Sequence, residues 1–253
     1  MKIMVCIKEI ALLPGIAVIK PDGSDVSPEF KQMGIGEADE QAAEQSVRMI
    51  DASTEDETIA ITLGGKNAAN TLRKCLALGM SRALHLSDEN IGGFDPITVA
   101  RALSQAIEDE APSLVLCGVQ SSDSAQQLTG PALATCLGWP YATAAISIEV
   151  DETSCKATVH RDVGAGSLDV IEIDLPAVIT VQAGINTPRT PSFKDVLVSK
   201  KATIPLQIAP SSGLSDIQLL GMRTHDVSHN KLKILTGGPA EVAKKIKALI
   251  QEI

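Results

Sequence analysis

The chain has 253 residues and a net charge of −9, with 44% apolar but only 2% aromatic residues. That length holds one large α/β domain or a domain with extensions, and its core has to be built from Ala, Val, Ile and Leu. The acidic balance argues against a nucleic-acid partner, which needs basic patches, but leaves open one mononucleotide held by backbone amides.

In chain order, the unbroken apolar run Ile3 to Ile7 predicts a strand buried on both faces. Ala17 to Lys20 and the segment after Asp25 flank a Pro21-Asp22-Gly23 turn, a small hairpin or excursion. Asp39 to Ile50 reads as a helix through Ala43, Val47 and Ile50, and Thr58 to Leu63 as a second strand. Lys66 to Leu78 is a helix with Ala69, Leu72 and Leu76 on one face and Gly79 as its stop. Arg82 to Leu86 is a third strand. Asp95 caps the next helix, with Pro96 at its first position and Val99, Leu103 and Ile107 inward. Leu114 to Cys117 is the fourth strand, and Pro131 marks the first turn of a helix through Leu137.

Strands alternating with helices over short connections mean a parallel sheet with right-handed crossovers. From Ala145 the pattern changes. Ala145 to Val150, Ala157 to Arg161 and Asp169 to Ile173 alternate like strands, with turns at Asp151 and at Gly164-Ala165-Gly166. Ala177 to Val181 is again unbroken and rejoins the core sheet. The expected division is an α/β domain over residues 1–184 and an extended arm over 185–253. Pro188, Pro191, Pro205 and Pro210 deny the arm a core of its own. Its end, from Pro239, is an amphipathic helix with Val242, Ile246, Leu249 and Ile253 on one face. Such a helix docks either on its own domain or on a partner.

Cys6, Cys75, Cys117, Cys136 and Cys155 are odd in number and lack a C-x-x-C pair, which predicts free thiols in a reducing compartment. His225 and His229 are four apart but have no third ligand candidate nearby. No apolar run approaches membrane-spanning length, so the expected location is the cytoplasm.

The most informative segment is Gly118 to Gly130, GVQSSDSAQQLTG, between a strand and a helix. Loop amides and a helix N-terminus favour an anion there. Ser121, Ser122, Ser124 and Thr129 can donate to phosphate oxygens without bulk. A carboxylate repels phosphate, so Asp123 is expected to accept loop N–H groups or a ribose hydroxyl. Gly64-Gly65-Lys66 lacks P-loop spacing and is a plausible point of close ligand approach. Gly34-Ile35-Gly36 does not continue as G-x-G-x-x-G. No nucleophile–base pair or carboxylate pair emerges, so binding without catalysis is expected.

Several runs form a joint signature. They are Met4-Val5-Cys6-Ile7-Lys8, Glu40-Gln41-Ala42-Ala43-Glu44-Gln45, and Thr71 through Met80. Further along come Gly118 through Asp123, Thr129-Gly130, Leu137-Gly138-Trp139-Pro140, Leu175-Pro176-Ala177-Val178, and Asn186 with Pro188-Arg189. Together they resemble the β subunit of electron transfer flavoprotein over nearly the whole chain. The GVQSSD variant resembles the methylotroph branch, whose partners oxidise methylated amines.

The resemblance implies an adenine-nucleotide α-hydrolase-like, Rossmann-like sheet and the small subunit of a heterodimeric electron carrier, not an enzyme with its own turnover. It implies one AMP lined by Cys6, by Gly36, Glu37, Ala38 and Asp39, by Leu63, and by Gly118, Val119, Gln120, Ser121, Ser122, Asp123, Ser124, Ala125, Gln126, Gln127, Leu128 and Thr129. FAD is implied mainly in the α subunit, electrons passing from a dehydrogenase to a quinone oxidoreductase. Pro188, Arg189 and Phe193 fall on the arm that meets the dehydrogenase, with Phe193 where the family usually has a Leu anchor. Two departures stand out. Gly36-Glu37-Ala38-Asp39 replaces the family's N-P-F-D/C, losing an aromatic neighbour of the flavin. Pro191 stiffens the usual R-Y-A-[ST]-L stretch. Two alternatives remain: a second FAD in place of AMP, as in bifurcating relatives, and a stand-alone nucleotide sensor or hydrolase.

Overall fold

The computed structural model describes residues 1–13, 15, 17–50, 55–87, 95–209, 217, 219–224 and 234–251. Pro210, His225, His229 and Ile253 lie outside the described residues. The chain opens with β1 (Lys2–Cys6), a β2 (Glu9–Leu12) and β3 (Gln32–Ile35) pair, α1 (Glu37–Ile50) and β4 (Glu57–Leu63). Then come α2 (Ala69–Leu78), β5 (Arg82–Ser87), α3 (Pro96–Glu110), β6 (Leu114–Gly118) and α4 (Thr129–Leu137). The strands β7 (Tyr141–Asp151), β8 (Lys156–Gly164), β9 (Ser167–Asp174) and β10 (Ala177–Val181) follow. The last elements are α5 (Phe193–Lys201), β11 (Leu206–Ile208) and α6 (Pro239–Gln251).

Nine strands make one sheet in the order β11-β5-β4-β1-β6-β10-β7-β8-β9. Its central strands are parallel, so the fold is α/β and Rossmann-like. The alternation of β1 divides two cores. Ile3, Val5 and Ile7 join Ala42, Ala43 and Val47 of α1 and Leu72 and Cys75 of α2. Met4 and Cys6 join Leu103 and Ile107 of α3 and Leu133 of α4. Helices therefore cover both faces, which is why the central strands read as continuous apolar runs. The scarcity of aromatic residues leaves Ala, Val, Ile and Leu to fill both layers.

The expected hairpin around Pro21 is present as an antiparallel bridge between Ile19 and Val26. Three details differ from expectation. Helix α1 starts at Glu37, its first turn carrying Glu37, Asp39 and Glu40 where acids suit the helix dipole. A 3₁₀ turn at Lys66–Ala68 precedes α2, and the buried face is Ala68, Thr71, Leu72 and Cys75, with Ala69 and Leu76 only flanking it. Strand β7 begins at Tyr141. Its first residues pair parallel with β10 and its remainder antiparallel with β8, so the meander extends the main sheet.

Beyond residue 184 the chain first returns to this body. Helix α5 packs on α2, and β11 adds a parallel strand beside β5. The proline-rich stretch lacks its own core and shares the domain's. Helix α6 differs: none of its residues is buried, and Ile246 and Ile250 are 45% and 66% exposed.

Candidate functional site

Strand β1 lies between β4 and β6, and the chain crosses from one side of it to the other. The carboxyl ends of β1 and β6 therefore border the crevice where α/β sheets hold ligands. A cleft of about 280 Å³ opens there. Cys6 and Cys117, paired in register on the two strands, form part of its wall. Both thiols are buried. Burial raises Cys6 well above the ordinary thiol range and pushes Cys117 up to about 12, so both stay protonated.

Asp39 ties the two strands together at this edge. One carboxylate oxygen accepts the Lys8 backbone N–H at 2.8 Å and the other the Gly118 N–H at 2.9 Å. Burial raises its pKa to about 6, against the pull of these two hydrogen bonds. Gly118 is required by this arrangement: a Cβ there would overlap the Asp39 oxygen and press on Ala38.

Above the cleft the Lys8 ammonium donates to Ser121 Oγ at 3.1 Å, Asp123 Oδ1 at 2.8 Å and Ser124 Oγ at 3.1 Å. The two serine hydroxyls are 2.9 Å apart. Burial alone would raise the Asp123 carboxyl, but the Lys8 and Ser121 contacts outweigh it and hold it below the ordinary value. Ala125 and Gln127 have φ of 49° and 56°, left-handed positions that turn the loop, and the Ala125 N–H donates to the Ser121 carbonyl at 2.9 Å. No side chain caps α4, whose first residue, Thr129, lines the cleft beside Leu128. The Thr129 and Gly130 amides at that helix start are suited to an anion, while Pro131 has no N–H to give. Gly130 lets α4 approach the sheet, since a Cβ there would overlap Thr180.

Of the residues expected at the site, Cys6, Asp39, Leu63, Gly118, Val119, Gln120, Ser121, Ser124, Gln126, Gln127, Leu128 and Thr129 line this cleft. Gly36, Glu37, Ala38, Ser122, Asp123 and Ala125 are not on its wall. Ala38 is buried behind Gly118, and Glu37, Ser122 and Ala125 face outward. Asp123 accepts a loop N–H, that of Ser124, as expected, and reaches the cleft through Lys8. Lys8, Glu9, Pro96, Val99 and Leu103 are additions that the loop-centred reading missed. Gly64 and Gly65, the anticipated close-approach turn, form another part of the wall. His85 directs Nε2 to the Gly64 carbonyl at 3.0 Å behind that turn.

A second polar cluster fixes the start of the arm. Glu44 on α1 is 2% exposed at its side chain and accepts from Arg48 Nε at 2.6 Å and Arg189 Nε at 2.9 Å. The Arg189 backbone N–H adds a bond at 3.1 Å, and Arg48 also donates to the Thr187 carbonyl at 2.6 Å. Burial would raise the Glu44 carboxyl, but the two arginines outweigh it and keep it below its ordinary value. Asn186 adds bonds to the Gln41 carbonyl and the Gln45 side chain. Arg189 thus faces inward, whereas Phe193, at the start of α5, is 80% exposed. Ser192 and Asp195 close a capping box on that helix. Pro188 is half-buried.

The model of the electron transfer flavoprotein domain matches residues 28–210. A relative from Methylophilus methylotrophus, the electron transfer flavoprotein subunit beta, is 36% identical over 228 residues, covering 90% of this chain and 83% of its own. The mitochondrial electron transfer flavoprotein subunit beta of Arabidopsis thaliana is 31% identical over 250 residues, covering 98% of both chains. The subunit beta of Megasphaera elsdenii is 30% identical over 230 residues, covering 87% and 82%. With a Rossmann-like sheet, a cleft at its switch point and these relatives, the chain belongs to the electron transfer flavoprotein β-subunit family.

Proposed function

We propose that this chain binds one AMP in the cleft and joins an α subunit that holds most of the FAD. The heterodimer then carries electrons from a dehydrogenase to a quinone oxidoreductase. The carrying observation is the cleft itself: an uncapped helix start, small hydroxyls and one lysine converge at the end of β1 and β6. Its volume, about 280 Å³, sits at the small end of ligand sites, which favours a mononucleotide over a second FAD. AMP here has a packing and charge-pairing role, and FAD, when bound, supplies the redox chemistry.

Subunit without turnover is the reading the lining favours. Among the described residues, those lining the cleft include two protonated thiols and no histidine. Phe193 is the proposed dehydrogenase anchor, on the same arm as Pro188 and Arg189, exposed on a helix that packs on α2 and follows the Arg189–Glu44 pair. The methylotroph-like GVQSSD run points to a dehydrogenase for methylated amines. The proposed compartment is the cytoplasm, in keeping with five free cysteines. No helix among the described residues is long and apolar enough to cross a membrane.

Co-expression with an α-subunit candidate tests the proposal. A yellow 1:1 complex that accepts electrons from the dehydrogenase is the expected result. A colourless monomer that hydrolyses ATP would support the stand-alone module instead.

A further inference from the structure

We propose that Lys8 is the residue that reads the phosphate of the bound nucleotide, and that Asp123 stands in for that phosphate in its absence. The inference rests on the adenine-nucleotide reading above and goes beyond it, because it assigns how the site tells a nucleotide from a nucleoside. An ammonium has three donors. Lys8 places all three on one loop: two serine hydroxyls and one carboxylate oxygen, at 2.8–3.1 Å. That set resembles the surroundings a phosphate oxygen would share with the same serines.

Lys8 is held at both ends. Its backbone N–H is fixed by the buried Asp39 at 2.8 Å, so the side chain starts from a rigid point. Its tip lies at the cleft wall, while Asp123 lies outside the wall, bonded to Ser121 and the Ser124 N–H as well as to the ammonium. The Lys8 and Asp123 side chains are 33% and 30% exposed, so their pairing is screened by water and weak. A phosphate carries more charge and more acceptor oxygens than a carboxylate, and the start of α4 lines the same cleft as Lys8. Exchange of Asp123 for phosphate on Lys8 is therefore favourable. Asp123 keeps the loop and the ammonium in the binding arrangement until then, and once displaced its carboxylate opposes the phosphate, a repulsion that an Asn at this position lacks.

The test compares AMP with adenosine, by calorimetry, on the full-length chain co-expressed with its α partner and freed of endogenous nucleotide. The wild type is expected to prefer AMP by at least about 10-fold, the effect of charge-assisted hydrogen bonds on affinity. Lys8→Met is expected to lower AMP affinity by about 10- to 100-fold and leave adenosine unchanged, adenosine binding reporting an intact cleft. Asp123→Asn is expected to raise AMP affinity several-fold, because the internal competitor is gone. Equal binding of AMP and adenosine by the wild type overturns the inference while leaving the adenine site standing, and needs no variant. A loss of AMP affinity in Asp123→Asn equal to that in Lys8→Met overturns the exchange. Absence of binding by either ligand overturns the nucleotide reading and this inference with it.

Discussion

Glu44→Gln removes the charge around which the start of the arm is organised. In the native chain that carboxylate is 2% exposed and receives hydrogen bonds from Arg48 and Arg189, at 2.6 and 2.9 Å. Removing one member of a fully buried ion pair costs about 3–5 kcal/mol, because the remaining charge is stranded. Here the remaining groups are guanidiniums whose side chains are 46% and 37% exposed, and Arg48 keeps its bond to the Thr187 carbonyl, so water and the chain take over part of their solvation. The loss is then closer to that of one or two charge-assisted hydrogen bonds, about 2–3 kcal/mol. Gln keeps the shape and one acceptor, so the effect belongs to the charge. Urea melts give the global change, and hydrogen exchange locates it. The expected result is faster exchange in residues 184–201, while the β1, β4 and β6 amides stay protected relative to the new global stability. An unchanged melt with unchanged exchange in the arm would refute the view that Glu44 holds it. Acid gives the same contrast without a substitution. The folded Glu44 carboxyl lies below its ordinary value of 4.5, so its contribution is present above that pH and is lost as pH falls through the folded value.

Other outcomes follow from the same geometry. Asp39 has the opposite sign: its folded pKa, about 6, lies above the ordinary 3.8, so its contribution is full below pH 4 and lost as pH rises through 6. The stability of wild type relative to Asp39→Asn is therefore expected to fall by up to about 3 kcal/mol between pH 4 and pH 7 in a series of urea melts. Gly118→Ala forces Asp39 off the loop and is expected to cost about 1–3 kcal/mol in thermal melts, together with weaker nucleotide retention. Phe193→Ala, at a side chain 80% exposed, should move stability by less than about 0.5 kcal/mol. It should weaken dehydrogenase docking by roughly 30-fold if the ring is an anchor, as read by the KM for the carrier in a steady-state assay.

The central strands were legible because burial on both faces leaves no alternation to misread. Ile3 to Ile7 and Ala177 to Val181 are such runs, and both lie in the middle of the sheet. The loop from Gly118 was legible because a cluster of small hydroxyl residues between a strand and a helix has few structural uses. Lys8 was not. One lysine at the end of a strand looks like any solvated strand end until the crossover brings it over a loop more than a hundred residues away. Asp39 could be placed near a helix start, but its bridging of β1 and β6 depends on strand neighbours that local sequence does not specify. The α2 face was misphased because the 3₁₀ turn at Lys66–Ala68 offsets the helix from the 3.6-residue pattern. Strand β11 has three exposed residues behind Pro205, too short for any periodicity, and owes its form to the open edge of β5.

The most direct measurement is the nucleotide released when the purified heterodimer is denatured, identified and counted by chromatography with mass detection. One AMP and one FAD per heterodimer is the result this account predicts. Two FAD with no AMP, or no adenine nucleotide beyond the single flavin, would contradict it.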